Sequence, residues 1–270
     1  MPLGETRWGK SDIRLSKVFR GDDQDDFVDI TVRVLLRGDV AAAHTEGDNS
    51  AVVPTDTMRN TVYAMAQDRL GRDLERFGET LCAHFLDKPG IEGAEVTIHE
   101  AIWARETGNG FVGGSSERRS ARVVRGDEQS TSAGVEGLVV LKTSGSAFEG
   151  FPKDELTVLP EASDRVLATS ITAEWSYSTV PEDTSRAWAL VREALVGHFF
   201  GDWSASVQHQ GYLMGEAVLG TVPEISEIRF RLPNQHHLPF DLTRFGLAWE
   251  GTVFHPVSEP FGDIYLTVTR

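Results

Sequence analysis

The chain has 270 residues, 40% of them hydrophobic and 25% charged, with a formal net charge of −15 at pH 7. A chain of this size buries a core in one large or two ordinary domains without disulfide staples, and its single cysteine, Cys82, lacks a partner for a disulfide or a Cys-type metal spacing. The acidic balance argues against nucleic acid or an anionic membrane as partner, and nowhere do about 18 apolar residues run together as a spanning helix requires.

An anionic substrate must therefore find local cations, and because repulsion is screened beyond about 8 Å at physiological salt, a few placed Arg and Lys residues decide binding. Cys82 reads as a buried small hydrophobe in a reducing compartment. The N-terminus shows no apolar leader, and the chain ends Thr267-Val268-Thr269-Arg270, not in the Ser-Lys-Leu address. The expected location is the cytoplasm.

In chain order, the first clear strand places Val28, Ile30, Val32, Val34 and Leu36 on one face and Asp29, Thr31 and Arg33 on the other. Two helical runs follow, Met58, Val62, Met65 and then Leu74, Phe77, Leu81, Phe85. Alternation returns over residues 96–103, and the Gly/Ser-rich residues 108–116 and polar residues 126–134 read as loops inside and after this block. The second half repeats the order. Ile171, Ala173, Trp175 and Tyr177 alternate; Trp188, Val191, Leu195, Phe199 and then Val207, Gly211, Met214, Val218 have helical spacing. Ile228, Phe230 and Leu232, then Ile264, Leu266 and Val268, read as the closing strands.

Each helix pair leads into a strand through a similar phrase, Pro89-Gly90-Ile91-Glu92-Gly93-Ala94-Glu95-Val96 in the first half and Pro223-Glu224-Ile225-Ser226-Glu227-Ile228 in the second. The reading is an α+β chain of two tandem β-β-α-α-β-β units, residues 1–134 and 135–270, each an antiparallel sheet with a helix pair on one face. Such sheets leave a face and edges open, which predicts closure into a larger barrel by oligomerisation.

Chemistry-bearing residues are weak signals singly. Thr55, Asp56 and Thr57 precede an apolar run and read first as a helix cap, whose free N–H groups also favour an anion. Ser204-Ala205-Ser206-Val207-Gln208 repeats the logic, with Ser204 as the cap and Val207 and Gln208 in the first turn. Asn234-Gln235-His236-His237 follows a strand and the turn residue Pro233; the adjacent histidines lack the acidic third ligand and the Cys spacing of common zinc sites. Lys10 and Arg165 alone read as solvated charges, and Phe148 as core.

Taken together the phrases resemble the urate oxidase family. They are Arg7-Trp8-Gly9-Lys10, the run from Thr55 to Ala64, Phe148-Glu149-Gly150-Phe151, Asp164-Arg165-Val166-Leu167-Ala168-Thr169, Ser204-Ala205-Ser206-Val207-Gln208 and Leu232-Pro233-Asn234-Gln235-His236, in family order. Trp8 stands where eukaryotic members usually carry Tyr, and residues 178–185 look short, which suggests a bacterial type.

The resemblance implies two T-fold (tunnel-fold) units per subunit, four subunits stacked into a tunnel-shaped homotetramer, urate and O2 as substrates, and no metal or other cofactor. It implies that Arg165 and Gln208 clamp the edge of urate, that Phe148 stacks on the purine, and that the backbone N–H groups of Val207 and Asp56 bind urate oxygens. It further implies a proton relay of Lys10, Thr55 and His236, with Lys10 desolvated enough to act as a base. Asn234 with Thr55 would hold first oxygen and then water. Thr55 and Asp56 would come from a neighbouring subunit, so that Lys10 meets Thr55 across an interface. Two alternatives stay open: a zinc-dependent pterin enzyme built on the same fold unit, and a purine-binding protein without turnover.

Overall fold

The computed structural model describes residues 2–270. In chain order its elements are β1 (Trp8–Phe19), β2 (Asp26–Gly38), α1 (Ala41–Thr45), α2 (Thr55–Arg69), α3 (Leu74–Leu86), β3 (Ile91–Ala101), β4 (Ala104–Thr107), β5 (Gly110–Val112), β6 (Arg118–Arg125) and β7 (Ser130–Lys142). They continue with β8 (Leu167–Tyr177), α4 (Thr184–Gly201), α5 (Val207–Thr221), β9 (Ile225–Pro239) and β10 (Phe254–Thr269). Apart from α1 and the β4–β5 hairpin, this is the β-β-α-α-β-β order twice. Two compact units result: residues 1–134 with 175–188, and residues 135–174 with 189–270.

In the first unit β1, β2, β3 and β6 lie side by side, each antiparallel to the next. Val28, Ile30, Val32, Val34 and Leu36 share one buried face because a strand's side chains alternate, and they join one core with Met58 and Val62 of α2 and Leu74, Phe77, Leu81 and Phe85 of α3. Cys82 belongs to the same core, where burial pushes its thiol up to about 12 and leaves it inert.

Two clamps fix β1 along α2. At one end Lys17 donates to the carbonyls of Ala66, Gln67 and Leu70 at 3.0, 2.9 and 2.7 Å, placing a cation on the negative end of the helix. At the other, Trp8 Nε1 donates to the Val53 carbonyl at 3.0 Å, just before α2 begins.

In the second unit the strand order is β7, β8, β9, β10, and the last two pair antiparallel along most of their length. The helix α5 lies close on these strands. A Cβ on Gly215 would stand 2.5 Å from Val268 Cγ2, so only glycine permits that approach.

Several boundaries differ from expectation. The alternating strand expected at 96–103 is β3, which ends at Ala101, so Trp103 lies beyond it. Residues 108–116 hold the turn, at Gly108 with φ +50°, and the second strand of a small hairpin of β4 with β5, whose first strand precedes them. The loop expected at 126–134 is shorter, because β7 begins at Ser130 and buries Thr131, Ser132 and Ala133; small polar residues gave no apolar alternation to read. Pro233 marks no turn: β9 runs through it to Pro239. Its partner Asp263 sits beside a register jump in β10 between Val257 and Gly262, the kind of irregularity where a strand tolerates proline.

Candidate active site

β7 ends at Lys142, and the residues leading to β8 carry Phe148 and Arg165. This connection is pinned by its backbone. The Ala147 N–H donates to the Ser204 carbonyl at 2.8 Å and the Ser204 N–H to the Gly145 carbonyl at 3.0 Å. The Arg165 N–H donates to the Ser146 carbonyl at 2.7 Å, and Phe148 and Ala162 exchange bonds at 2.7 and 3.0 Å. Asp164 Oδ1 accepts from the N–H groups of Gly145, Ser146 and Arg165 at 2.7, 3.2 and 3.0 Å. Phe148, Arg165 and the approach to α5 are thus one hydrogen-bonded frame.

That frame explains why Ser204 is not the cap of α5, as the sequence suggested. Its backbone bridges to Ser146 and it is fully buried. The cap is Ser206, whose extended backbone lets Oγ accept from the His209 N–H at 3.0 Å while its carbonyl accepts from Gln210. Val207 and Gln208 occupy the first turn as expected, where their N–H groups have no helical acceptor. A helix start of this kind suits an anionic oxygen.

The Arg165 guanidinium carbon lies 5.3 Å from the centroid of the Phe148 ring, and Phe151 stacks on that ring at 4.9 Å and 16°. Burial pulls the Arg165 pKa down with no carboxylate opposing it. Among the described residues its buried Nε has no hydrogen-bond partner. A desolvated, under-satisfied cation beside an aromatic face is costly for the empty protein and is what a flat anion would relieve.

On β9, Asn234 and His236 point to one face and Gln235 and His237 to the other, so the pleat separates the adjacent histidines. Burial lowers the His236 pKa, and the positive charge of Arg165 lowers it further. Both effects favour the neutral imidazole, the form able to accept a proton. Labelled-histidine NMR of the free protein should show His236 titrating below 6.5, and Arg165→Gln should move that titration upward. An unchanged His236 titration in Arg165→Gln would remove Arg165 from its surroundings.

The first unit holds the other expected residues. Lys10 pairs with Val34, and directly after it the register of β1 jumps, with Asp12 at φ 56°, forming an irregularity that re-aims side chains. A Cβ on Gly9 would fall 1.9 Å from the Val34 carbonyl oxygen, so glycine alone admits this pairing. Thr55 is the first residue of α2, and Pro54 holds the cap position without a side-chain bond, so Thr55 does not cap the helix. Its side chain is exposed.

The Asp56 carboxylate is occupied by Arg59 at 2.8 Å and Asn60 at 2.9 Å, which leaves its backbone N–H as the group free to meet a ligand. Lys10 and Thr55 belong to the same unit, and the Trp8–Val53 bond ties their neighbourhoods together. Within one chain, then, the end of β1 that carries Lys10 and the start of α2 that carries Thr55 are neighbours.

Residues to which the sequence gave no role also build the candidate site. Ser146 and Asp164 set the frame under Phe148 and Arg165; Asp164 opened one of the matching phrases without a role, and the hint at Ser146 was the turn signal Ser144-Gly145-Ser146, with Gly145 at φ +81°.

A pair of β-β-α-α-β-β repeats of this kind defines a T-fold protein, and its second unit sets an arginine whose Nε has no partner among the described residues against an aromatic ring. The Uricase family profile matches residues 6–132 and again 131–265. The uricase of Arthrobacter globiformis is 42% identical over 272 residues, covering 99% of this chain and 90% of the relative. That of Dictyostelium discoideum is 38% identical over 279 residues, covering 99% and 97%. The crystal structure of the Arthrobacter globiformis uricase matches with a TM-score of 0.95 at 41% identity, over 100% of this chain and 95% of that one. The chain belongs to the uricase family.

Proposed function

We propose that this chain oxidises urate with O2 and water, giving 5-hydroxyisourate and hydrogen peroxide, without a metal or organic cofactor. The observation that carries the reading is Arg165, desolvated and lacking a partner at Nε, held 5.3 Å from the Phe148 ring. Urate is a planar anion. Its edge offers oxygen and nitrogen atoms to the Arg165 fork and the Gln208 carboxamide, and its face stacks on Phe148 while Phe151 backs that ring. The Val207 N–H at the start of α5 and the Asp56 N–H at the start of α2 take the carbonyl oxygens.

In the reaction urate gives up two electrons and two protons, dioxygen takes them up as hydrogen peroxide, and the oxygen of water forms the new bond at C5. The electron-rich urate dianion supplies the reducing power, so the protein's tasks are to move protons and to hold oxygen and then water over the ring. Lys10, Thr55 and His236 carry the proton relay, and Asn234 with Thr55 holds the small molecule. His236, kept neutral by burial and by Arg165, suits the accepting step.

Lys10 and Thr55 of the proton relay lie on one unit, while His236, Asn234 and the clamp lie on the other, which favours a homotetramer whose sites are completed by a second copy. Apolar Val139 and Leu141 on the exposed face of β7 supply surface for such assembly. The test is oxygen uptake on adding urate with a chelator present. Urate, oxygen and peroxide should change one for one, insensitive to the chelator. Turnover that requires zinc would favour the pterin-enzyme class, and urate bound without oxygen uptake would leave a binding protein.

A further inference from the structure

We propose that Lys142 is a positioning residue: through the turn between α4 and α5 it fixes the frame that presents Phe148, Arg165, Val207 and Gln208 to the substrate. The inference rests on the functional reading above. Lys142 is the last residue of β7 and is 7% exposed, an unusual place for a lysine. Its Nζ donates to the Asp202 carbonyl at 2.7 Å and to Gln210 Oε1 at 2.7 Å, and lies 5.6 Å from the centroid of the Phe199 ring. The Asp202 carbonyl follows the last turn of α4, where a cation is favoured.

Gln210 is fully buried on α5 and completes the tie. Its Nε2 donates to the His198 carbonyl at 2.9 Å, which fixes the carboxamide so that only Oε1 faces the lysine. The turn from Asp202 to Ser206 is held at both ends by this pair. In its middle Ser204 bonds Gly145 and Ala147, three and five residues beyond Lys142 itself. The loop of contacts closes: Lys142 to the α4–α5 turn, that turn to residues 145–147, and those back along the chain to Lys142. Phe148 is the next residue, and Arg165 hangs from Ser146.

A methionine would fill the same volume without the cost of desolvating a charge, so core filling alone does not account for this lysine. What the ammonium adds is direction. It holds one carbonyl and one carboxamide at fixed points, and with them the first turn of α5. A shift of a fraction of an ångström there separates the Val207 N–H and Gln208 from Arg165, which weakens the grip on urate more than it disturbs Lys10 and Thr55 on the other unit.

The experiment uses Lys142→Met and Gln210→Met in the full-length protein, below the unfolding temperature of each variant. Urate binding is titrated under nitrogen, where no turnover occurs, and KM and kcat are measured in air. Lys142→Met should bind urate ~10-fold more weakly and raise KM to match, with kcat lowered less than about 3-fold. Gln210→Met should move the same quantities in the same direction by ~3-fold, and it serves alone if Lys142→Met does not fold. The double variant should be little worse than Lys142→Met, since the two residues act as one tie. Folded variants with lower thermal stability but unchanged urate affinity would reduce Lys142 to a structural residue and overturn the proposal. Wild-type protein that neither binds nor consumes urate would bring down the functional reading, and this assignment with it.

Discussion

Lys10→Met and Thr55→Ala are each expected to lower kcat for urate oxidation by ~10²–10⁴-fold, the range for lost general acid–base catalysis. Urate affinity should change far less, because Arg165, Gln208 and Phe148 belong to the other unit. The geometry behind this is the fixing of β1 against α2. Gly9 allows β1 to press against Val34, the register jump after Lys10 re-aims the strand, and Trp8 and Lys17 tie β1 to the two ends of α2. Lys10 and Thr55 are therefore presented by one rigid frame. If they pass a proton between them, breaking either link stops the relay, so the double variant should be little slower than the worse single one. Rate measurements on the four proteins decide it. Fully additive losses would mean the two side chains act separately.

The alternation of Val28 to Leu36 and the helical spacing of Leu74 to Phe85 were legible because burial on one face imposes a period on the sequence. The repeat itself was legible through the two entry phrases. The failures share a cause. Thr131, Ser132 and Ala133 are strand residues without apolar contrast, and Pro233 is a strand residue whose type signals a turn. In both places the neighbouring strands, not the local residues, decide the conformation.

The candidate site was legible in a different way. No residue type among Lys10, Thr55, Phe148, Arg165, Gln208 and His236 stood out alone, and only their ordered phrases did. What the sequence could not show was relation. Ser204 and Ser206 both look like caps, and only the bridge from Ser204 to Ser146 tells which one caps. Arg165 is a lone cation in the sequence, while its orphaned Nε and its effect on His236 need three dimensions. Lys142 lies in a run of ordinary β residues and gave no signal, because its importance lies in contacts 60 and 68 residues away.

Arg165→Ala should weaken urate binding by about 2–4 kcal/mol, roughly 30- to 700-fold, since it removes a buried charge-assisted fork. Phe148→Leu should cost less, because an apolar surface remains. Subunit mixing then tests where the halves of each site come from. Arg165 and Thr55 lie on different units, so if a second copy completes each site, a chain carrying Arg165→Ala and a chain carrying Thr55→Ala are complementary. In hybrids, a site that takes its clamp from the Thr55→Ala chain and its α2 start from the Arg165→Ala chain carries neither defect. Activity should reappear on mixing after dissociation and reassembly. Mixing Lys10→Met with Thr55→Ala should restore nothing if the two residues, which sit on the same unit, enter a site from one chain, since every site then receives one defect. Recovery in that second mixture would show that Lys10 and Thr55 come from different chains, and failure of the first would show that each site is built within one.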